Sequence, residues 1–171
     1  MAQQRISKAE LTAVQLKNLL DYDPQTGQFR WKDRPYLRRV KPGELAGKID
    51  KGYVRIRILG RDFRAHILVW FLETDTWPNE PIDHFDGNKQ NNRPGNLRLG
   101  GNGINSQNRR LPSKNNTTGF LGVCTRAREL GFYASIGIND RIQRLGKFDT
   151  PEAAHEAYLI AKRQLHAGCT I

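Results

Sequence analysis

The chain has 171 residues and carries 28 Lys and Arg against 17 Asp and Glu, which gives a formal net charge of +11. A surplus of this size favours polyanionic partners, because each phosphate that a basic side chain neutralises releases condensed counterions. No apolar run approaches the roughly 18 residues that a membrane span needs, and the opening MAQQRISKAEL lacks the apolar stretch of a secretory signal. These features predict a soluble, cytoplasmic protein that binds nucleic acid and no membrane.

The N-terminal part of the chain predicts a helix followed by a basic strand and loop. Ser7 and Glu10 form a capping pattern, and the leucines that follow recur at helical spacing, which predicts a helix over about residues 8–21. QFRW then predicts a short strand with Phe29 and Trp31 on one face. The basic loop after this strand is as consistent with backbone-phosphate contact as with an ordinary solvated face.

The segment GYVRIRILGRDFRAHILVWFL predicts a hairpin followed by a short buried helix. Tyr53, Arg55 and Arg57 alternate with apolar residues, so they lie on one face of the first strand. We expect Arg55 and Arg57 to contact DNA. His66 begins the apolar run of the predicted helix, and a structural role is favoured for it.

Residues 81–116 are the most positive part of the chain per residue, with six basic and two acidic side chains. Within this segment, IDHFDGNKQNN places a histidine between two aspartates, ahead of a glycine and several asparagines. The Asp-Gly-Asn part is typical of a polar hairpin loop, which Asn88, Asn91 and Asn92 are expected to shape, but a turn has no need of the histidine. LRL predicts a second short strand, and GNGINSQNRRL predicts a short helix capped by Asn102.

Asp83 and His84 follow each other on a predicted strand, so they point to opposite sides of the backbone. One can then hold a metal while the other faces a substrate phosphate, which is the division of labour that phosphodiester hydrolysis requires. The short helix offers further oxygen ligands at Asn102, Asn105 and Asn108. Because carboxylate and amide oxygens are hard ligands, Mg²⁺ or Mn²⁺ is favoured over zinc.

The stretch PIDHFDGNKQNNRPGNLRLGGNGINSQN resembles the ββα-metal core of HNH nucleases, closest to phage-type homing endonucleases. The resemblance implies that Asp83 is a metal ligand and that His84 is the general base. It also implies that Asn96 braces the loop and that Asn105 is the second metal ligand. Many HNH nucleases have histidine at the position of Asn105, and the asparagine here favours magnesium, with manganese as the alternative. Arg109 and Arg110 follow the helix and are predicted either to bind backbone phosphate or to be solvated.

The sequence from Phe120 onwards predicts three short strands and a final helix, which begins with Thr150 as N-cap and Pro151 in the first turn. GFLGVCTRARELGFYASIGINDRIQRLGKFDTPEAAHEAY is similar to the ethylene-response-factor (Apetala-type) DNA-binding domain. In that family a three-stranded antiparallel sheet packs on a helix and places its other face in the major groove. This chain departs from the plant pattern at Leu121, Cys124 and Ile142, so the family's DNA target does not carry over.

Period-2 alternation independently predicts which face of this sheet is exposed. Phe132, Ala134, Ile136 and Ile138 are predicted to face the core, so the residues between them face outward. The same alternation places arginines of the first and third strands on the outer face. The predicted DNA contacts of this sheet are Arg126, Arg128, Tyr133, Ser135 and Arg144.

The sequence as a whole predicts an α+β protein of several modules. We expect an N-terminal helix and basic module at 1–50, an HNH nuclease core at 51–111, a linker at 112–119 and an ethylene-response-factor-like domain at 120–171. The predicted function is that of a phage- or bacterium-encoded, metal-dependent homing endonuclease that hydrolyses double-stranded DNA. One active site per chain is consistent with a monomer that nicks or a homodimer that cuts both strands. The alternatives are a DNA-binding regulator with an inactive nuclease core and, from charge alone, an RNA-binding protein.

Overall fold

The computed structural model describes residues 11–33, 41–127, 129–139 and 141–171, which form four α-helices and ten strands. In chain order these are α1 (Ala13–Leu19), β1 (Leu20–Asp23), β2 (Gln28–Trp31), β3 (Lys48–Asp50), β4 (Tyr53–Ile58), β5 (Arg61–Arg64), α2 (Ala65–Thr74), β6 (Ile82–His84), β7 (Leu97–Leu99), α3 (Asn102–Gln107), β8 (Val123–Arg126), β9 (Glu129–Ile138), β10 (Arg141–Phe148) and α4 (Pro151–Leu165). All sheets are antiparallel, so the α+β class is confirmed.

The chain divides into two compact units, Met1–Leu99 and Gly100–Ile171. Each unit buries its own cluster of apolar side chains. No helix in the described part of the chain is long and apolar enough to cross a membrane.

Helix α1 is shorter than the sequence predicts. It begins after Thr12, whose hydroxyl accepts a hydrogen bond from the Gln15 N–H at 3.1 Å while the Gln15 side chain accepts from the Thr12 N–H at 2.9 Å. This reciprocal capping box fixes the start of the helix. The helix ends at Leu19 because Leu20 is extended and pairs with Trp31 in the β1–β2 hairpin. The predicted cap at Ser7 lies outside the described residues.

The first unit is built around a core to which nearly every element contributes. Phe29 and Trp31 are both buried, as their alternation in β2 predicts. Ile56 of β4 and Leu68 of α2 are fully buried, so the predicted hairpin and the helix after it pack on the same core. Burying a side chain of this size contributes about 1.5–3 kcal/mol, so this core supplies a rigid support for the strands that follow α2.

Strands β6 and β7 form the hairpin that carries the histidine motif. Their register pairs Ile82 with Leu99, Asp83 with Arg98, and His84 with Leu97. A 3₁₀ turn, Pro94–Asn96, leads directly into β7. Asn96 therefore lies at the end of the connecting loop, close in space to the residues that follow His84.

In the second unit, β8, β9 and β10 form a three-stranded sheet in the order β10-β9-β8, with α4 packed on one face. Ala134, Ile136 and Tyr158 are buried between the sheet and the helix, which agrees with the predicted inner face of β9. Helix α4 begins as predicted, because the Thr150 hydroxyl accepts from the Ala153 N–H at 3.2 Å and Pro151 is in the first turn.

Candidate active site on the β6–β7 hairpin

His84 is held by contacts from three other segments of the first unit. Its ring is 4% exposed, and its Nε2 lies 3.1 Å from the Oδ1 atom of Asn92. The His66 ring meets it edge to face with centroids 5.0 Å apart, and the Tyr53 ring centroid lies 6.1 Å away. With the Asn92 amide oxygen as acceptor, Nε2 carries the proton and Nδ1 is the unprotonated nitrogen.

The environment of His84 keeps its imidazole uncharged at neutral pH. Burial lowers the pKa of His84, because the charged form loses its hydration, and the hydrogen bond to Asn92 and the nearby Asp86 and Asp83 carboxylates only partly oppose this effect. A neutral imidazole is the form that accepts a proton. The site therefore supplies a positioned base.

His66, which contacts His84, is also buried and has a strongly lowered pKa. Burial lowers the pKa of His66 to about 3, and the neighbouring His84 adds to this effect. In the folded protein His66 is consequently neutral over the physiological range, and its contact with His84 is one between two uncharged rings.

Acidification is expected to destabilise the protein through His66. The unfolded chain binds a proton at this residue below its ordinary pKa of 6.5, whereas the folded chain does so only near 3. The stability that comes from keeping His66 neutral in the folded protein is thus fully present above pH 6.5 and is lost progressively as the pH falls. At about pH 5 the free energy of unfolding should be lower by about 2 kcal/mol. Urea unfolding of the wild type and of His66→Gln at about pH 7.5 and about pH 5 checks this. An equal loss in both proteins would contradict it.

Asp83 lies on the neighbouring position of β6 and is bound by an arginine of the paired strand. Arg98 donates to the Oδ2 atom of Asp83 from Nε at 3.0 Å and from Nη2 at 2.9 Å. Asp83 is buried, and Arg98 also places its guanidinium 5.1 Å from the ring centroid of Phe85. Sequence reasoning missed Arg98, although the strand register puts it directly opposite Asp83.

Asn96 ties together the two ends of the loop between β6 and β7. Its Oδ1 atom accepts from the Asp86 N–H at 3.0 Å, and its Nδ2 atom donates to the Asp86 carboxylate at 2.9 Å and to the Asn91 carbonyl at 2.8 Å. Its own carbonyl accepts from the Phe85 N–H at 2.8 Å. These bonds hold in one conformation the loop that runs directly after His84.

Asn92, the hydrogen-bond partner of His84, is positioned by the turn between β1 and β2. Gly27 has a φ of +69°, and a Cβ atom there would lie 2.2 Å from the backbone carbonyl carbon of Asn92. The loop can approach the turn this closely only because residue 27 has no side chain. Asn92 is 3% exposed, so it is a buried partner of the histidine as well as a loop-shaping residue.

Asn105 belongs to the second unit, whereas Asp83, His84 and Asn96 belong to the first. It lies on α3, where its Nδ2 atom donates to the Gly100 carbonyl at 2.7 Å. The helix begins at Asn102 with Gly101 as the N-cap residue, so the predicted cap at Asn102 is wrong by one position. Gly101 has φ −47° and ψ 172°, and no side chain forms a capping hydrogen bond at this end of the helix.

The residues after α3 are bound to the C-terminal end of the chain. Arg110 donates to the Thr170 hydroxyl at 2.5 Å, and the Gly168 N–H donates to the Gln107 side chain at 2.9 Å. The buried Lys162 ammonium donates to the Arg109 carbonyl. The Arg110 guanidinium, predicted as a possible phosphate ligand, thus has a partner within its own unit.

The outer face of the β8–β10 sheet carries the side chains that alternation places there. The Arg126 guanidinium lies 4.2 Å from the Tyr133 ring centroid, and Glu129 accepts from the Tyr133 hydroxyl and lies 3.8 Å from Arg126. Ser135 pairs in register with Arg144, which is exposed. Arg128 lies outside the described residues. Sequence reasoning missed the acidic partner, Glu129.

The two arginines predicted to contact DNA from β4 both lie near carboxylates. Arg55 is 3.5 Å from Asp50 and 3.7 Å from Asp62, and Arg57 is 3.9 Å from Asp62. Alternation alone gives no sign of these ion pairs, because Asp50 and Asp62 come from the flanking strands. The positive charges of Arg55 and Arg57 are accordingly partly neutralised within the sheet.

The β6–β7 hairpin lies within a segment that matches a known protein family. Residues 63–107, from β5 to the end of α3, match the HNH endonuclease family. Neither the curated proteins nor the solved structures include a significant match to the chain. The family match supports an HNH nuclease that acts on DNA, and such nucleases generally use a divalent metal.

Proposed function

We propose that the protein is a metal-dependent endonuclease of the homing type that hydrolyses phosphodiester bonds of double-stranded DNA. The observation that carries this proposal is the buried, neutral imidazole of His84, held by Asn92 within the segment that matches the HNH endonuclease family. In this proposal His84 takes a proton from the attacking water, and Asn96 keeps the loop after His84 in place.

Following the resemblance to HNH nucleases, we propose Asp83 and Asn105 as the residues that would hold the metal. Among the described residues, no group of three or more His, Cys, Asp and Glu side chains is placed to bind a metal ion. A neutral amide binds a cation through its oxygen, and the Asn105 amide nitrogen donates to the Gly100 carbonyl. A carboxylate and an amide oxygen suit Mg²⁺, or else Mn²⁺. When bound, the cation would supply positive charge to the scissile phosphate and the departing 3′ oxygen.

We further propose that the second unit selects the DNA sequence. Its sheet has one face packed on α4 and another that carries Arg126, Tyr133, Ser135 and Arg144, and Arg128 is placed on that same face by the sequence pattern. A sheet can enter the major groove, where arginine binds guanine through two hydrogen bonds. This role follows the resemblance to the ethylene-response-factor domain.

Chelation of the metal is expected to stop DNA cleavage. Supercoiled plasmid, incubated with a large excess of the protein and Mg²⁺, should be converted to nicked or linear product, and EDTA should prevent the conversion. Restoring Mg²⁺ should restore it. The excess is needed because the preferred site is unknown, and the ratio of nicked to linear product separates a nicking monomer from a double-strand-cutting homodimer. Conversion that persists in EDTA would contradict the metal requirement.

A second candidate is a DNA-binding regulator whose nuclease core does not cut. The observation that favours it is the pair of hydrogen bonds from Arg98 to Asp83, which engages a carboxylate that the nuclease would use for its metal. Tight binding of duplex DNA in a gel shift, with plasmid that stays supercoiled in Mg²⁺ or Mn²⁺, would support the regulator. If a plasmid library revealed one rare cleavage site, the nuclease would be supported instead.

A further inference from the structure

Two cationic side chains lie against the same aromatic ring beside His84. The Arg64 guanidinium carbon is 4.4 Å from the Tyr53 ring centroid, and the Lys89 ammonium nitrogen is 4.8 Å from it. Both distances are within the range of cation–π attraction. Since the Tyr53 ring also contacts His84, these cations are placed next to the proposed base.

The positions of both cations are set by ordered parts of the first unit. Arg64 ends β5, immediately before α2. Lys89 lies in the loop that Asn96 ties together, and its stem passes the β3–β4 turn, where a Cβ atom on Gly52 would lie 3.4 Å from the Lys89 Cδ atom. Each charged group is therefore directed to the Tyr53 ring by its own segment of backbone.

Among the described residues, Arg64 and Lys89 form no ion pair with a carboxylate. In the part of the chain that the structure describes, neither side chain has a carboxylate within 4.0 Å, unlike Arg55, Arg57 and Arg98. Both side chains are exposed. Each charge lies within 5 Å of the same ring centroid, and an anion bound beside that ring is attracted by both.

We propose that Arg64 and Lys89, held on the ring of Tyr53, bind a backbone phosphate of the DNA next to His84. This inference rests on the proposed function, because it places the DNA strand against the proposed base. Arginine offers a planar pair of donors to phosphate oxygens and lysine a compact charge, so the two together neutralise and orient one phosphate group. The site adds no sequence preference, since phosphate contacts position the DNA without reading it.

The test combines DNA binding at several salt concentrations with single-turnover plasmid nicking. The variants are Arg64→Gln, Lys89→Gln, the double variant and Tyr53→Leu, with Tyr53→Phe as the variant that keeps the ring. Lys48→Gln is the matched control, because Lys48 is an exposed lysine on β3 of the same sheet. Both cations are exposed, so their removal should leave the melting temperature close to that of the wild type.

For the double variant and for Tyr53→Leu, the slope of log binding constant against log salt is expected to fall by about one, as for one lost phosphate contact. The nicking rate should fall by about tenfold or more. Lys48→Gln should match the wild type in both measurements, and Tyr53→Phe, which keeps the ring, should change the salt slope less than Tyr53→Leu does.

An unchanged salt slope in the double variant, with or without slower nicking, would overturn the phosphate site. A slope change of equal size in Lys48→Gln would also overturn it, because the effect would then be one of general charge. Failure of the proposed function is recognised separately, as a wild-type protein that does not nick, and the salt slopes still decide the phosphate site in that case.

Discussion

Replacing His84 with alanine is expected to lower the rate of plasmid nicking by about 10²–10⁴-fold, the usual contribution of a positioned general base. The imidazole is buried, neutral and fixed by Asn92, so no solvent base can take its place in the same geometry. The measurement is single-turnover conversion of supercoiled plasmid in Mg²⁺. Duplex binding in a gel shift should remain close to that of the wild type, because the residue acts on water.

His84→Gln is the matched variant that separates chemistry from folding. Glutamine retains a hydrogen-bonding side chain that can reach Asn92 but cannot serve as a base near neutral pH. It should therefore be as inactive as the alanine variant while it melts closer to the wild type. A His84→Gln protein that nicks at the wild-type rate would show that the base is another group. Because burial lowers the pKa of His84, acid should reduce the wild-type rate only at a lower pH than it would for a solvent-exposed histidine base.

Gly27→Ala is expected to have a large effect on both stability and cleavage, although residue 27 is in a turn far from the motif in sequence. The φ of +69° is strained for alanine. The added Cβ atom would also overlap the Asn92 backbone, which cannot rotate away as a flexible side chain could. Strain and overpacking together should reduce the free energy of unfolding by about 2–4 kcal/mol. Displacement of Asn92 should also slow nicking, because His84 loses the partner that orients it.

Gly43→Ala provides the control for this prediction. Gly43 also has a positive φ, +81°, but a Cβ atom there would have nothing within 4 Å. This variant should lose only about 1 kcal/mol, from the backbone conformation alone, and should nick at the wild-type rate. Urea unfolding and the plasmid assay on both variants make the comparison. Equal behaviour of the two would mean that the close approach to Asn92 does not matter.

Where the chain is governed by short-range patterns, its structure could be predicted from the sequence. The alternation in β9 correctly placed Ala134 and Ile136 in the core, because a strand turns successive side chains to opposite faces. Thr150 and Pro151 correctly predicted the start of α4, because capping depends on the first turn alone. The start of α1 at Ala13 was not predicted, since Thr12 with Gln15 forms a second capping pattern in the same stretch.

In the candidate site, too, some features follow from short-range sequence patterns and others do not. An aspartate and a histidine side by side on a strand, followed by a loop rich in asparagine, could be predicted because these residues are neighbours in the chain. Their surroundings come from the fold: Arg98 lies opposite Asp83, Asn92 contacts His84, and Gly27 lies behind Asn92. These contacts depend on strand register and on loop closure between distant segments, which local patterns do not encode.

For the positive charge of the first unit, the sequence gives the charged residues but not their partners. The composition established that the chain favours a polyanion, and alternation placed Arg55 and Arg57 on an exposed face. Which cations are already paired was decided by the three-dimensional arrangement, because Asp62 comes to Arg55 from the neighbouring strand, whereas Arg64 and Lys89 converge on Tyr53 with no carboxylate partner among the described residues. Charge is a property of the sequence, but its neutralisation depends on distances that only the fold sets.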